Sequence, residues 1–101
     1  MSSAERRYDV RLALAAARVF SKLDKDERQR IRSALEKLAA AARRPTRGGK
    51  SVKTIQGTKD RFHRLRVGDY RIMYDLIPED HVVLVLGIVH RSELERWLRN
   101  R

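Results

Sequence analysis

An α+β fold, with helices laid against a small antiparallel sheet, is what three features of this 101-residue chain predict. Residues 13–42 are rich in alanine, and their apolar positions recur every three or four residues, the period of helices. From residue 62 to residue 77 the period changes to that of strands, broken by Gly68-Asp69, a two-residue hairpin loop. Residues 82–89 (VVLVLGIV) are almost wholly apolar, as a central strand covered on both faces must be.

The elements follow in order. Tyr8-Asp9-Val10-Arg11-Leu12 alternates apolar and polar and reads as a first strand. Residues 13–23 (ALAAARVFSKL) form a helix that packs through Leu14, Val19, Phe20 and Leu23. Asp24 with Glu27 three residues later is a capping box for the next helix. That helix buries Ile31, Ala34, Leu35, Leu38 and Ala42, and it solvates Arg28, Arg30, Arg32, Glu36 and Lys37. Pro45 and Gly48-Gly49 end it. Residues 51–55, 62–67, 70–77 and 82–89 are strands, with Pro78-Glu79-Asp80-His81 turning between the last two. Residues 92–101 form a terminal helix with Leu94, Trp97 and Leu98 on one face and Ser92 and Glu95 spaced as a capping box. The order is β-α-α-β-β-β-β-α, one domain over residues 1–101, without repeat or linker. The absence of cysteine, of an apolar leader and of a long apolar run fits a cytoplasmic protein that does not enter a membrane.

Charge narrows the partners. The chain has 24 Lys+Arg against 13 Asp+Glu, a net charge of +11. The excess is clustered: from Arg43 to Arg66 there are nine basic residues and one acid, Asp60. Clustered positive charge points to a polyanion such as nucleic acid, whereas a solubility role would spread it. Lys50, Lys53, Lys59, Arg61 and His63 are therefore candidates for nucleic-acid contact, RNA or DNA.

The hairpin sharpens this reading. A two-residue loop at Gly68-Asp69 pairs Val67 with Tyr70, Arg66 with Arg71, Leu65 with Ile72, Arg64 with Met73 and His63 with Tyr74. Paired residues share a face, and faces alternate. Leu65, Val67, Tyr70, Ile72 and Tyr74 then form an apolar face for the helices, with His63 at its edge. Arg64, Arg66 and Arg71 share the other face, with Met73 and Phe62 beside them as an apolar floor. Continuing the register through Pro78–His81 sets Ile77 opposite Val82, Arg71 opposite Ile88 and Met73 opposite Leu86, and it places His90 on the arginine face. Two arginines directly opposed destabilise a sheet. An anion between them explains the pair, as does local screening by Asp75, Asp80 or the acids of the terminal helix.

The strings IQGTKDRFHRLRVGDYRIMYDL and VVLVLGIVHRSEL closely resemble the RelE/ParE toxin superfamily of bacterial toxin–antitoxin systems. YDVRL followed by SKLDKDERQRI resembles its opening strand and helical pair, so the similarity spans nearly the whole chain. The resemblance implies a toxin with an acidic, RelB-like antitoxin encoded beside it and a heteromeric complex with that antitoxin. One branch cuts messenger RNA in the ribosomal A site; the other poisons DNA gyrase without nuclease activity. The basic sheet face is similar to that of the RNA-cutting, RelE-like branch. In that branch the catalytic positions fall on Arg64, Arg66, Arg71 and on His90 or Arg91, with Lys53 beside them. Many RelE-like toxins have a tyrosine shortly after the HR pair. Here the string is HRSELERW, with Leu94 or Glu95 at that place and Trp97 the nearest aromatic.

The chemistry asks for no cofactor or metal. The 2′-OH of RNA is its own nucleophile, and a cationic site stabilises the phosphorane. In this scheme Arg66 and Arg71 hold the scissile phosphate, Arg64 positions substrate or serves as a base, His90 is the more natural acid or base, and Arg91 and Lys53 bind neighbouring phosphates. His63, His81 and His90 have no metal-ligand spacing. Translating ribosomes, through messenger and ribosomal RNA, are the implied target.

Overall fold

The computed structural model describes residues 8–42, 52–55 and 62–100, with residues 52–55 as backbone. The elements are β1 (Asp9–Leu12), α1 (Leu14–Lys22), α2 (Lys25–Ala42), β2 (Val52–Ile55), β3 (Phe62–Val67), β4 (Tyr70–Ile77), β5 (Val82–His90) and α3 (Leu94–Arg99). Single 3-10 turns occupy Pro78–Asp80 and Arg91–Glu93. The strand order is β1-β5-β4-β3-β2. Strands β2 to β5 pair antiparallel in the expected meander, while β1 joins the far edge parallel to β5.

Local chemistry explains the element ends. Asp24 Oδ1 accepts the Glu27 N–H at 2.8 Å, the first half of the expected capping box of α2. The carboxylate of Glu27 hydrogen-bonds the Tyr70 hydroxyl, so it ties α2 to the sheet. The β3–β4 loop puts Gly68 at φ +57 ahead of Asp69, the glycine-first form of a primed hairpin turn. His81 takes the left-handed conformation (φ 53) and closes the 3-10 turn by donating its N–H to the Pro78 carbonyl at 3.2 Å. The capping box expected at Ser92 and Glu95 does not form. His90 caps this end instead, its Nδ1 accepting the Ser92 N–H at 3.2 Å, and α3 starts two residues later than Ser92.

The main core lies between the sheet and the α1–α2 pair. It contains Ala16, Ile31, Leu35 and Ala39 from the helices, with Leu65, Ile72, Tyr74, Val83, Val85 and Ile88 from the strands. Burying one such aliphatic side chain contributes about 1.5–3 kcal/mol, and the helices are held chiefly by this face. Helix α3 crosses to the opposite face. Trp97 packs edge-on against Phe62 at 5.6 Å between ring centroids and lies directly over Gly87, with Met73, which pairs with Gly87, fully buried. The sheet is thus covered on both faces along β5, which explains its unbroken apolar run. No described helix is long and apolar enough to cross a membrane.

One irregularity decides where the functional residues go. The β4–β5 pairing begins as expected, with Ile77 opposite Val82, and then slips between Met73 and Tyr74. Tyr74 pairs with Val85 and Met73 with Gly87, so Leu86 is an extra residue, a β-bulge. Beyond the bulge every assignment moves by one: Arg71 faces Val89, not Ile88, and His90 faces Tyr70.

Candidate functional site

Strands β3 and β4 and the turn after β5 build a cluster of arginines at one end of the sheet. Arg66 lies opposite Arg71, and Arg64 lies opposite Met73. The face these arginines share turns away from the α1–α2 core. Arg66 is exposed, while Arg64 and Arg71 are half-buried. Arg71 folds back over its own turn, donating from Nη1 to the carbonyls of Gly68 and Tyr70, each at 3.0 Å. Those bonds use one nitrogen of a planar fork with five N–H donors, so the guanidinium is oriented while keeping donors for an anion.

Arg91 joins from the turn after β5. Its N–H donates to the Asp69 carbonyl at 2.7 Å, and its Nε stands 3.8 Å from Asp69 Oδ1. Partial burial lowers the Arg71 pKa from its ordinary value, and the guanidiniums of Arg66, Arg64 and Arg91 lower it further, with Asp69 opposing them. An arginine remains protonated at neutral pH even so. Arg71 is therefore a cation held among three others, the electrostatic setting that favours a bound polyanion.

Of the residues singled out in the sequence, Arg64, Arg66, Arg71 and Arg91 come together. His90 does not lie on their face. The bulge at Leu86 reverses its side, and its ring meets Tyr70 edge-on at 5.6 Å. Its Nδ1 is engaged by Ser92, 2.9 Å from Oγ. His63 is half-buried on the helix side, stacked on Tyr74 at 5.1 Å. Lys53 pairs in register with Arg64. Lys50, Lys59 and Arg61 lie outside the described residues. The apolar floor expected from Phe62 and Met73 is not open either: both are buried, beneath α3.

Two residues of the site were not among the candidates read from the sequence. In the sequence Asp69 reads as a turn residue, although an acid between Arg66 and Arg71 is itself a signal. Trp97 reads as part of the packing face of a terminal helix, and the glycine within an otherwise bulky strand, Gly87, marks where it docks. Among the described residues, no three of His, Asp and Glu are grouped so as to hold a metal ion.

Comparison with known proteins finds relatives of the same fold. Residues 10–95 match the family model described as the ParE toxin of type II toxin–antitoxin systems, parDE. No curated protein matches the chain in sequence. Among solved structures, the archaeal RelE–RelB complex from Pyrococcus horikoshii is similar at 25% identity and TM-score 0.68, covering 86% of this chain and 98% of that one. The toxin–antitoxin complex RelBE2 from Mycobacterium tuberculosis shares the fold at 23% identity and TM-score 0.69, covering 85% of this chain and 100% of that one. A doubly substituted E. coli toxin RelE in the free state does so at 22% identity and TM-score 0.61, covering 91% and 92%.

Proposed function

We propose, from the premise that the chain belongs to the RelE/ParE superfamily of type II toxin–antitoxin toxins, that it is a ribosome-dependent endoribonuclease that cuts messenger RNA. The observation that carries this reading is the convergence of Arg64, Arg66 and Arg91 on Arg71, with Arg66 and Arg71 directly opposed across two strands. A sheet tolerates such a pair where an anion bridges it.

In this mechanism the RNA 2′-OH attacks the adjacent phosphorus, forming the P–O2′ bond and breaking the P–O5′ bond. Charge builds on the non-bridging oxygens, and Arg71 and Arg66 stabilise it. Arg64 and Arg91 hold the flanking phosphates, and Lys53 extends the grip. His90 is assigned to capping the turn that presents Arg91; proton transfer then falls to solvent or to a ribosomal group. The products are a 2′,3′-cyclic phosphate and a 5′-hydroxyl. The site works in the bacterial cytoplasm, where an acidic antitoxin of the RelB kind covers it; the solved P. horikoshii and M. tuberculosis relatives are themselves toxin–antitoxin complexes.

A second reading, inhibition of DNA gyrase without nuclease activity, is favoured by two specific features. No tyrosine follows His90-Arg91, and His90 is turned from the arginine face. Expression in bacteria separates the two. New transcript 5′ ends within codons, with supercoiling unchanged, support the nuclease. Intact transcripts with gyrase-linked DNA breaks support the second reading and reject the first.

A further inference from the structure

Asp69 is an acid placed inside a cluster of cations. Its backbone carbonyl accepts the Arg91 N–H at 2.7 Å, and its carboxylate lies 3.8 Å from Arg91 Nε. Both side chains are well exposed, at 65% for Arg91 and 69% for Asp69, so either can turn to another partner. The carbonyl of the preceding residue, Gly68, holds Arg71 at 3.0 Å. The two-residue turn therefore sets both arginines, one through each residue. On the other side of Arg91, His90 Nδ1 caps the Ser92 N–H and limits how far the turn after β5 can swing.

The two contacts of Asp69 act differently. The backbone bond is short and does not depend on side-chain charge, so it positions the Arg91 main chain beside the hairpin. The carboxylate contact is long and exposed, and such pairs are weak and exchange readily. A phosphodiester offers Arg91 the same charge in a better geometry, with two oxygens for a bidentate contact.

We infer that the Asp69 carboxylate is a resident competitor for the anion site: it holds the Arg91 side chain in the absence of substrate, and a substrate phosphate must displace it to engage Arg91. The inference rests on the phosphate-binding reading of the arginine cluster. Asp69 touches no reacting atom and acts through Arg91, so it is a positioning residue.

The test is a double-mutant cycle read by binding. Asp69→Asn keeps the backbone and the turn and removes the charge. It is compared with Glu79→Gln, a charge change of equal size on the exposed Pro78–Asp80 turn at the other end of β4. The probes are inorganic pyrophosphate, followed by titration calorimetry across a salt series, and a single-stranded RNA oligonucleotide, followed by anisotropy across the same series. Asp69→Asn is expected to tighten pyrophosphate binding by about two- to fivefold at low salt, with the gain fading as salt rises. Glu79→Gln should leave it near wild type, and in an Arg91→Ala background Asp69→Asn should do nothing. Equal gains from both substitutions, no gain from Asp69→Asn, or a gain that survives Arg91→Ala would overturn the inference. If pyrophosphate behaves as expected while messenger RNA on programmed ribosomes is left uncut, the nuclease reading fails and the competitor role of Asp69 stands.

Discussion

Two residues apart on one face of one strand, β4 presents opposite environments. Met73 is fully buried, roofed by Trp97 of α3 and flanked by Phe62 and Gly87. Arg71 is partly open, faces Arg66 across the hairpin, and sits within the field of Arg64 and Arg91. Nothing in the strand backbone separates the two positions. What differs is cover: α3 closes one half of the face with apolar contacts, and the other half is left to cations. A small protein cannot cover both sides of its sheet and also keep a binding surface, so it divides one side between the two tasks.

The largest effect expected is on the open half. Arg71→Ala should abolish RNA cleavage and growth inhibition, by about a hundredfold or more, as loss of a transition-state donor does. Circular dichroism should stay native, because the substitution removes a cation from a crowded cluster and leaves the core untouched. On the closed half the matching substitution is Gly87→Val. A Cβ at this position would stand 2.6 Å from Trp97 Nε1, so α3 must move. Overpacking of this kind costs about 1–3 kcal/mol, which denaturant titration and Trp97 fluorescence would register. If Gly87→Val also removes cleavage while the fold persists, the two halves are not independent and the comparison breaks.

A smaller effect tests the like-charge pair. Arg66→Ala should weaken RNA binding and at the same time raise thermal stability slightly, by about 0.2–1 kcal/mol, since opposed like charges destabilise a sheet. A loss of stability would mean that Arg66 has a structural partner and that no anion is needed to explain it.

Alkaline pH probes the helix side of the same strand. Burial pushes the Tyr74 hydroxyl from 10.0 up to about 12. The folded state therefore resists ionisation that the unfolded chain accepts. This contribution is fully present below pH 10 and is lost as pH rises towards about 12. Thermal melts between pH 9 and 12 should show a steeper decline for the native protein than for Tyr74→Phe. With the least effect on the site itself, Asp24→Ala should cost about 1 kcal/mol of stability through loss of the α2 cap, leaving cleavage unchanged.

Much of this division is legible in the sequence. The β3–β4 register followed from Gly68-Asp69, because a two-residue loop admits one pairing, and it put Arg64, Arg66 and Arg71 on one face. The side of His90 was not legible. It depends on whether β5 carries one extra residue, and the run VVLVLGIV looks alike on either face because both faces of β5 are covered. The glycine within that run was the visible trace of the irregularity, but it does not say which residue bulges. The docking of α3 was similarly hidden. An apolar stripe of Leu94, Trp97 and Leu98 predicts that the helix packs, not on which side of the sheet. The parallel pairing of β1 with β5 is a long-range contact with no local signature at all.

The central claim is that the arginine half of the face stabilises attack by a 2′-OH on its neighbouring phosphate. The most direct test is to incubate the purified toxin with ribosomes programmed with a defined messenger RNA and to determine the chemistry of the new ends. The account predicts cleavage within the A-site codon that yields a 2′,3′-cyclic phosphate and a 5′-hydroxyl, lost in Arg71→Ala. Uncut messenger RNA, or new ends bearing a 5′-phosphate, would contradict it.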